Sequence, residues 1–420
     1  MKAKAVSFVL VAAGTLMIAA ACVPLPPDTD SPPTFNNTTD RTNQGASYVG
    51  SAACRACHPS IGQTHALHGH AHILTRIEGQ PPDFPAMAHR AGVPDPPPGL
   101  LWTDISYVIG GYSKKAVFVD LDGFLVTTGS TGTPAQWNLP FPANGTEAGF
   151  VEFESAPEPE PYDISCFVCH TTGPKPQNPD EPRFQENRPG IAGAWAEPGV
   201  QCEGCHGPGS NHIPNPAARN LFVSAAAAEC GQCHTRQGPD TILAADGFIE
   251  SYQQWSELRA SGGHASFDCT FCHDPHASST YDRDNGIRND CTGCHSDRNM
   301  ALHENATFMR GDYAEALTCQ SCHMPFATKS ASSATGAVVG PTGRMGDTRT
   351  HIFRISTEQA GLERFFNDAG TAVRRDAEGQ GAVTVDFVCL RCHNGVSNAF
   401  EIDTVGLAAQ IAIQMHARGD

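Results

Sequence analysis

Strand-like apolar runs are convincing in only one stretch of this chain. Ile105-Ser-Tyr-Val-Ile109 and Ala116-Val-Phe-Val-Asp120 precede Phe124-Leu-Val-Thr127, the last two joined by Leu121-Asp122-Gly123. Asp-Gly between apolar runs signals a hairpin, so this stretch predicts a small β subdomain. Over Thr357 to Arg374 the positions Leu362, Phe365 and Phe366 suggest a helix. At the start, Lys2 and Lys4 precede an apolar run from Ala5 to Ala21, the pattern of a secretory signal over residues 1–21. That run is too short for a membrane span, and no second apolar stretch is long enough. Val23 to Ser47 is rich in Pro, Thr, Asn and Asp and poor in apolar residues, which predicts a flexible tether.

Little else in the chain is periodic. It has 420 residues, 40% of them apolar, with 41 Gly and 32 Pro. Its formal net charge of −17 argues against nucleic acid or an anionic membrane surface as partner. A basic redox partner is compatible with that charge, although solubility alone accounts for it.

The chemistry lies in the cysteines. Eight pairs are spaced Cys-x-x-Cys and followed at once by histidine: Cys54/Cys57-His58, Cys166/Cys169-His170, Cys202/Cys205-His206, Cys230/Cys233-His234, Cys269/Cys272-His273, Cys291/Cys294-His295, Cys319/Cys322-His323 and Cys389/Cys392-His393. Two thiols at this spacing reach the two vinyl groups on one porphyrin edge. The next residue then lies under the ring, where imidazole takes an axial position on iron. Zinc, iron–sulfur clusters, a redox dithiol or disulfides do not require that histidine. With 19 histidines in 420 residues, eight chance matches have a probability on the order of 10⁻¹¹ against a motif already specific when single. The sequence therefore predicts eight c-type haems, with roughly 50 residues to cover each. So sparse a chain must use porphyrins as its interior. The expected fold is mostly α plus coil with a small β subdomain, a multihaem cytochrome fold organised around eight covalent haems, with short helices carrying the motifs.

First-cysteine spacings of 112, 36, 28, 39, 22, 28 and 70 residues show no fixed repeat. They divide the mature chain into a first haem with the β subdomain (48–160), a six-haem block (161–330) and a C-terminal segment with the eighth haem (331–420). The tether occupies 22–47. The one cysteine outside the motifs is Cys22, in Ala19-Ala20-Ala21-Cys22. An ordinary Ala-x-Ala cleavage would leave it as a free terminal thiol; a bacterial lipobox would acylate it. An odd cysteine in a secreted chain calls for an explanation, which favours the lipid anchor. Either reading places the mature protein outside the cytoplasm, in the periplasm, at the outer membrane or on the cell surface.

Eleven histidines lie outside the motifs, barely more than the eight that pairs of axial imidazoles would require. His70, His212, His264, His276, His303, His351 and His416 are the candidate distal ligands. An eighth would come from His65, His68, His72 or His89, or one iron would stay open. Methionine ligation by Met300 or Met324 would raise the potential. Asp282-Arg-Asp284-Asn285-Gly286 does not match a helix–loop–helix calcium site and reads as a turn.

With these residues in hand, the chain resembles the secreted multihaem c-type cytochromes of bacteria. Tyr48-Val-Gly-Ser-Ala-Ala-Cys54-Arg-Ala-Cys57-His58 resembles the opening of the tetrahaem cytochromes that accept electrons from hydroxylamine oxidoreductase. Cys202-Glu-Gly-Cys205-His206-Gly-Pro-Gly-Ser-Asn-His212 and Cys319-Gln-Ser-Cys322-His323-Met-Pro resemble elements of the wider class. The resemblance implies closely stacked haems, mostly with two histidine ligands, moving electrons over distance. Nitrite-reducing members of that class end one motif in lysine; no motif here does. Two functions are open: an electron carrier serving redox partner proteins or an extracellular acceptor, and an oxidoreductase for a small nitrogen or sulfur oxyanion at one open haem. The carrier is favoured. Homo-oligomer or filament assembly is left open.

Overall fold

Seven strands over residues 74–161 form the largest sheet of the protein. They are β1 (Leu74–Arg76), β2 (Ile105–Gly110), β3 (Lys115–Asp120), β4 (Phe124–Leu125), β5 (Gln136–Asn138), β6 (Gly149–Val151) and β7 (Glu160–Pro161), in the order β1-β2-β3-β4-β7. β5 branches off β3 and carries β6, and every pairing is antiparallel. This architecture comes from a computed structural model that describes residues 37–153, 159–300, 303–331, 338–339 and 342–415.

Alternation along β2 and β3 sends side chains to opposite faces. Tyr107 opposes Val119, and both join Leu74, Tyr162, Phe167, Ile191 and Trp195 on one side. Val108 opposes Phe118, and these pack with Ile77, Val93 and Val126 on the other. Gly123, at φ 93°, turns the chain between β3 and β4. A Cβ there would also run into the Ile191 side chain at 2.6 Å, so the position needs glycine twice over.

Short helices carry the motifs: Ser51–Cys57, Ile164–Phe167, Cys202–His206, Ala227–Gly231, Cys269–Cys272, Cys319–His323, Val385–Val388 and a 3-10 turn at Cys291–Gly293. Apolar packing is divided among five separate clusters. The largest gathers Ile242, Phe248, Ile249, Ile352, Phe365 and Phe387. The C-terminal helix Val405–Ile413 is only nine residues long. Among the described residues no helix is long and apolar enough to cross a membrane.

Three expectations need correction. Strands are not confined to the first stretch: Thr307–Arg310 pairs with Tyr313–Ala316, and further two- and three-residue strands recur along the chain. They escaped notice because each is too short to show alternation. The helix expected over Thr357–Arg374 is one turn, Leu362–Phe365. Phe366 is extended and bridges Val373, with Gly370 at φ 71° reversing the chain, because Phe365, Phe366 and Val373 all bury in one cluster. The proposed tether is packed from Asn37 onward. Asn37 bridges Phe222, and buried Asn43 donates to the carbonyls of His206 at 2.9 Å and Pro208 at 2.8 Å. Cys22 and the signal segment lie outside the described residues.

Candidate functional site

Each motif folds as a single turn of helix, and the turn itself aligns its ligands. Residues four apart share a helix face. The amide of His58 donates to the Cys54 carbonyl at 2.9 Å, His234 to Cys230 at 2.9 Å, His273 to Cys269 at 3.0 Å, His295 to Cys291 at 2.9 Å and His393 to Cys389 at 2.9 Å. In every such turn the first thiol and the imidazole project the same way. Carboxylates cap two of these turns: Asp163 accepts from the Ser165 amide at 2.8 Å, and Asp290 from the Cys291 amide at 2.7 Å. None of the sixteen motif cysteines is in a disulfide.

Imidazole rings meet in pairs drawn from distant parts of the chain. His58 faces His212 with ring centroids 6.5 Å apart, His206 faces His276 at 6.2 Å, and His234 faces His70 at 6.0 Å. His273 faces His351 at 6.1 Å, His295 faces His264 at 5.9 Å, and His393 faces His303 at 6.0 Å. A metal–imidazole bond of about 2.0 Å, with roughly 1.1 Å more to the ring centre, separates two trans imidazoles by about 6 Å. At these six spacings each histidine pair could hold one haem iron between its rings.

Second partners fix the ring orientations by holding Nδ1 and leaving Nε2 for a metal. His206 Nδ1 lies 3.1 Å from the Phe222 carbonyl, His323 Nδ1 2.9 Å from that of Phe353, and His393 Nδ1 2.7 Å from that of Phe400. His234 Nδ1 is 3.0 Å from Gln254 Oε1. Burial pushes His351 down to about 3, His170 to about 4 and His70 well below the usual histidine value, so these rings are neutral and able to ligate. His303 and His351 each keep a buried ring nitrogen with no hydrogen-bond partner. Apolar side chains beside the motifs, namely Ile61, Val168, Ile213, Phe271, Val396 and Phe400, are exposed as porphyrin faces would leave them before covering them. The residues fit c-type haem.

Two motif histidines, His170 and His323, stand outside these six pairs. His170 Nδ1 lies 3.1 Å from the Tyr162 hydroxyl, and Tyr162, fully buried, is its only ring neighbour among the described residues. His65 also keeps a buried ring nitrogen with no hydrogen-bond partner, and no ring pair joins His65, His68, His72 or His89 to a motif histidine among the described residues. His65 stacks on His68, His72 stacks on Tyr112 and reaches the Ala66 carbonyl, and His89 meets the edge of Tyr281. His416 lies outside the described residues, and Met324 caps the seventh motif helix.

Thiols of different motifs also come close. Cys54 lies near Cys202, Cys169 near Cys233, and Cys230 near Cys269. Cys205 lies near Cys230, Cys272 near Cys294, Cys291 near Cys319, and Cys322 near Cys389. Neighbouring sites therefore run first, third, fourth, fifth, sixth, seventh, eighth, and the second branches off at the fourth. The clamp between first and third was not anticipated. Glu203, inside the third motif, accepts from the amides of Val49 at 3.0 Å, Gly50 at 2.8 Å and Gly209 at 2.7 Å, while Glu197 holds the Ser51 amide at 3.0 Å. Both glutamates sit at the N-terminal end of the first motif helix, where its amides lack partners. At Asp282, Asn285 turns back to donate to the carboxylate at 2.9 Å, and no cluster of metal-ligating side chains occurs among the described residues.

Comparison with known proteins gives the same class. Residues 148–207, spanning the second and third motifs, match the family "Cytochrome c554 and c-prime". The Tyr48–His58 stretch lies outside that match. No curated protein matches the chain in sequence. The fold is similar to the octahaem sulfite reductase MccA of Wolinella succinogenes, with a TM-score of 0.57 and 16% identity, covering 90% of this chain and 73% of that one. The outer cell wall cytochrome OcwA (TM-score 0.47, 18% identity, 87% and 86% covered) and an undecahaem cytochrome from the S-layer of Carboxydothermus ferrireducens (0.45, 16%, 89% and 60%) also match. The chain has the fold of a multihaem cytochrome, and its attachment turns and imidazole pairs fit the same class.

Proposed function

We propose that the chain binds eight c-type haems and carries electrons among them in the cell envelope. One observation supports this above the others: six imidazole pairs bring a motif histidine and a second histidine to ring-centre spacings of 5.9 to 6.5 Å. Haem supplies the one-electron chemistry. The polypeptide supplies paired imidazoles that leave ligation unchanged on reduction, burial that excludes water, and contact between neighbouring sites. His416 stays a proposed distal ligand, assigned to no particular iron. The signal segment and an acylated Cys22 would hold the protein on the extracytoplasmic side of a membrane. A redox protein or an extracellular acceptor would take the electrons.

His170 favours a second reading at one position. With Tyr162 behind it and no imidazole opposite it among the described residues, its iron would keep a coordination position for a small ligand. That is the requirement of an oxidoreductase for a nitrogen or sulfur oxyanion. Haem quantitation and spin-state measurement on the purified protein test both readings. Eight haems per chain, all low-spin and inert to carbon monoxide, support the carrier alone. One high-spin haem binding carbon monoxide stoichiometrically supports the open site. Fewer than eight haems would overturn the cofactor assignment.

A further inference from the structure

Two cations on partly buried residues share one aromatic ring. Lys114 Nζ lies 4.7 Å from the Phe141 ring centre, and the Arg90 guanidinium lies 5.3 Å from the same centre. Arg90 also covers the Tyr281 ring at 5.5 Å, and its Nε is buried without a hydrogen-bond partner. Lys114 donates to the backbone carbonyl of Asp347. The Asp347 carboxylate is itself engaged, taking the amides of Ser330 at 3.0 Å and Ala331 at 2.8 Å. Arg349, the nearest other cation, is saturated by Glu315 and by the Gln320 and Met324 carbonyls. Among the described residues no carboxylate forms an ion pair with Arg90 or Lys114.

The nearby Asp347 carboxylate offsets part of the repulsion at Lys114, and a further anion between the two cations would offset more of it. Cation–π contact with Phe141 offsets a fraction of that repulsion and fixes where both groups sit. Their position says which anion could arrive. Tyr281 follows the distal histidine His276 by five residues, and Asp347 precedes the distal histidine His351 by four. The pair thus lies between the loops that present imidazoles to the third and fifth motifs. Burial lowers Lys114 to about 8 against the Asp347 carboxylate, which raises it, with Arg90 and Arg349 adding to the lowering, and the ammonium is left largely charged at neutral pH.

We propose that Lys114 and Arg90 form an anion site that takes a carboxylate or a small oxyanion between the third and fifth haem positions. A haem propionate and a free oxyanion share this chemistry, and the test separates them. Midpoint potentials of the haem-loaded full chain are measured by spectroelectrochemistry for the wild type, R90Q, K114Q and K114R, each with and without added sulfite. If a propionate is the ligand, R90Q and K114Q lower the potential of one or two haems in sulfite-free buffer. K114R restores it, and sulfite has no effect on the wild type. If a free oxyanion is the ligand, sulfite shifts the wild-type potentials saturably, and R90Q and K114Q lose that response. R90Q leaves the Lys114–Asp347 bond intact, so it gives the reading even if K114Q fails to mature. Unchanged potentials in R90Q, together with no sulfite response in the wild type, overturn the proposal.

Discussion

Arg391 and Glu315 meet as a two-pronged pair in the interior, Nη1 to Oε2 at 3.0 Å and Nη2 to Oε1 at 3.3 Å. Arg391 belongs to the eighth motif and also donates to the Ser321 carbonyl, in the seventh, at 3.2 Å. Glu315 accepts from Ser321 Oγ at 2.9 Å and from Arg349 at 2.8 Å. A residue between two attachment cysteines thus ties its own site to the neighbouring one.

Arg391→Met removes the buried cation and leaves Glu315 with Arg349 alone. Breaking a buried pair from one side costs about 3–5 kcal/mol. Guanidinium unfolding of the haem-loaded protein, followed by Soret circular dichroism, should show that loss. A midpoint equal to that of the wild type would mean the pair contributes nothing.

Acid sensitivity follows from the same carboxylate. Burial alone would raise Glu315, but Arg391 and Arg349 hold it at about 2, below its ordinary 4.5. Its contribution is therefore complete above pH 4.5 and is lost as the pH falls toward 2. In Arg391→Met the loss should begin at higher pH. An acid titration of the Soret signal that superimposes for the two proteins would contradict this.

Glu203→Gln keeps the shape of the clamp and removes the charge that three amides share. Hydrogen bonds to a charged group contribute about 1.5–3 kcal/mol. Thermal unfolding should report a loss in that range, and limited proteolysis should cut first near Val49. Equal resistance in both proteins would show the clamp to be idle.

Gly231, inside Cys230-Gly231-Gln232-Cys233, lies against the Trp255 indole, where an added Cβ would come within 2.3 Å of a ring atom. Gly231→Ala should destabilise by about 1–3 kcal/mol through overpacking. It should also lower occupancy of the fourth site, read as a mass deficit of one haem. Full occupancy at unchanged stability would refute it.

His303→Met exchanges one imidazole for a thioether opposite His393. Methionine ligation raises the potential, so one haem should titrate higher while the rest keep their values. A redox titration identical to that of the wild type would rule out His303 as a ligand.

The attachment cysteines and their histidines were legible because the whole unit is five consecutive residues. The pairing of imidazoles was not, because it is decided between loops. His212 follows the third motif but faces His58 of the first, and His303 follows the sixth but faces His393 of the eighth. His264 precedes the fifth motif and faces the sixth. Sequence order suggested proximity to a motif without saying which ring lay across from it. Glu203 was visible as a motif residue, yet nothing local revealed that its carboxylate reaches back to Val49. Tyr162 carried no signal beyond its place four residues before Cys166. The β3–β4 hairpin was readable because Asp122-Gly123 stands between two apolar runs. The strands elsewhere are too brief for any pattern to register.

The apolar interior is broken into five islands rather than one mass. Before its porphyrins are attached, a polypeptide of this kind has little drive to collapse on its own. Its attachment turns stay open to the ligation machinery until each porphyrin arrives, and the last one in closes the molecule. Maturation and folding are then one process, and a cell short of haem would accumulate protease-sensitive chain instead of a half-active protein.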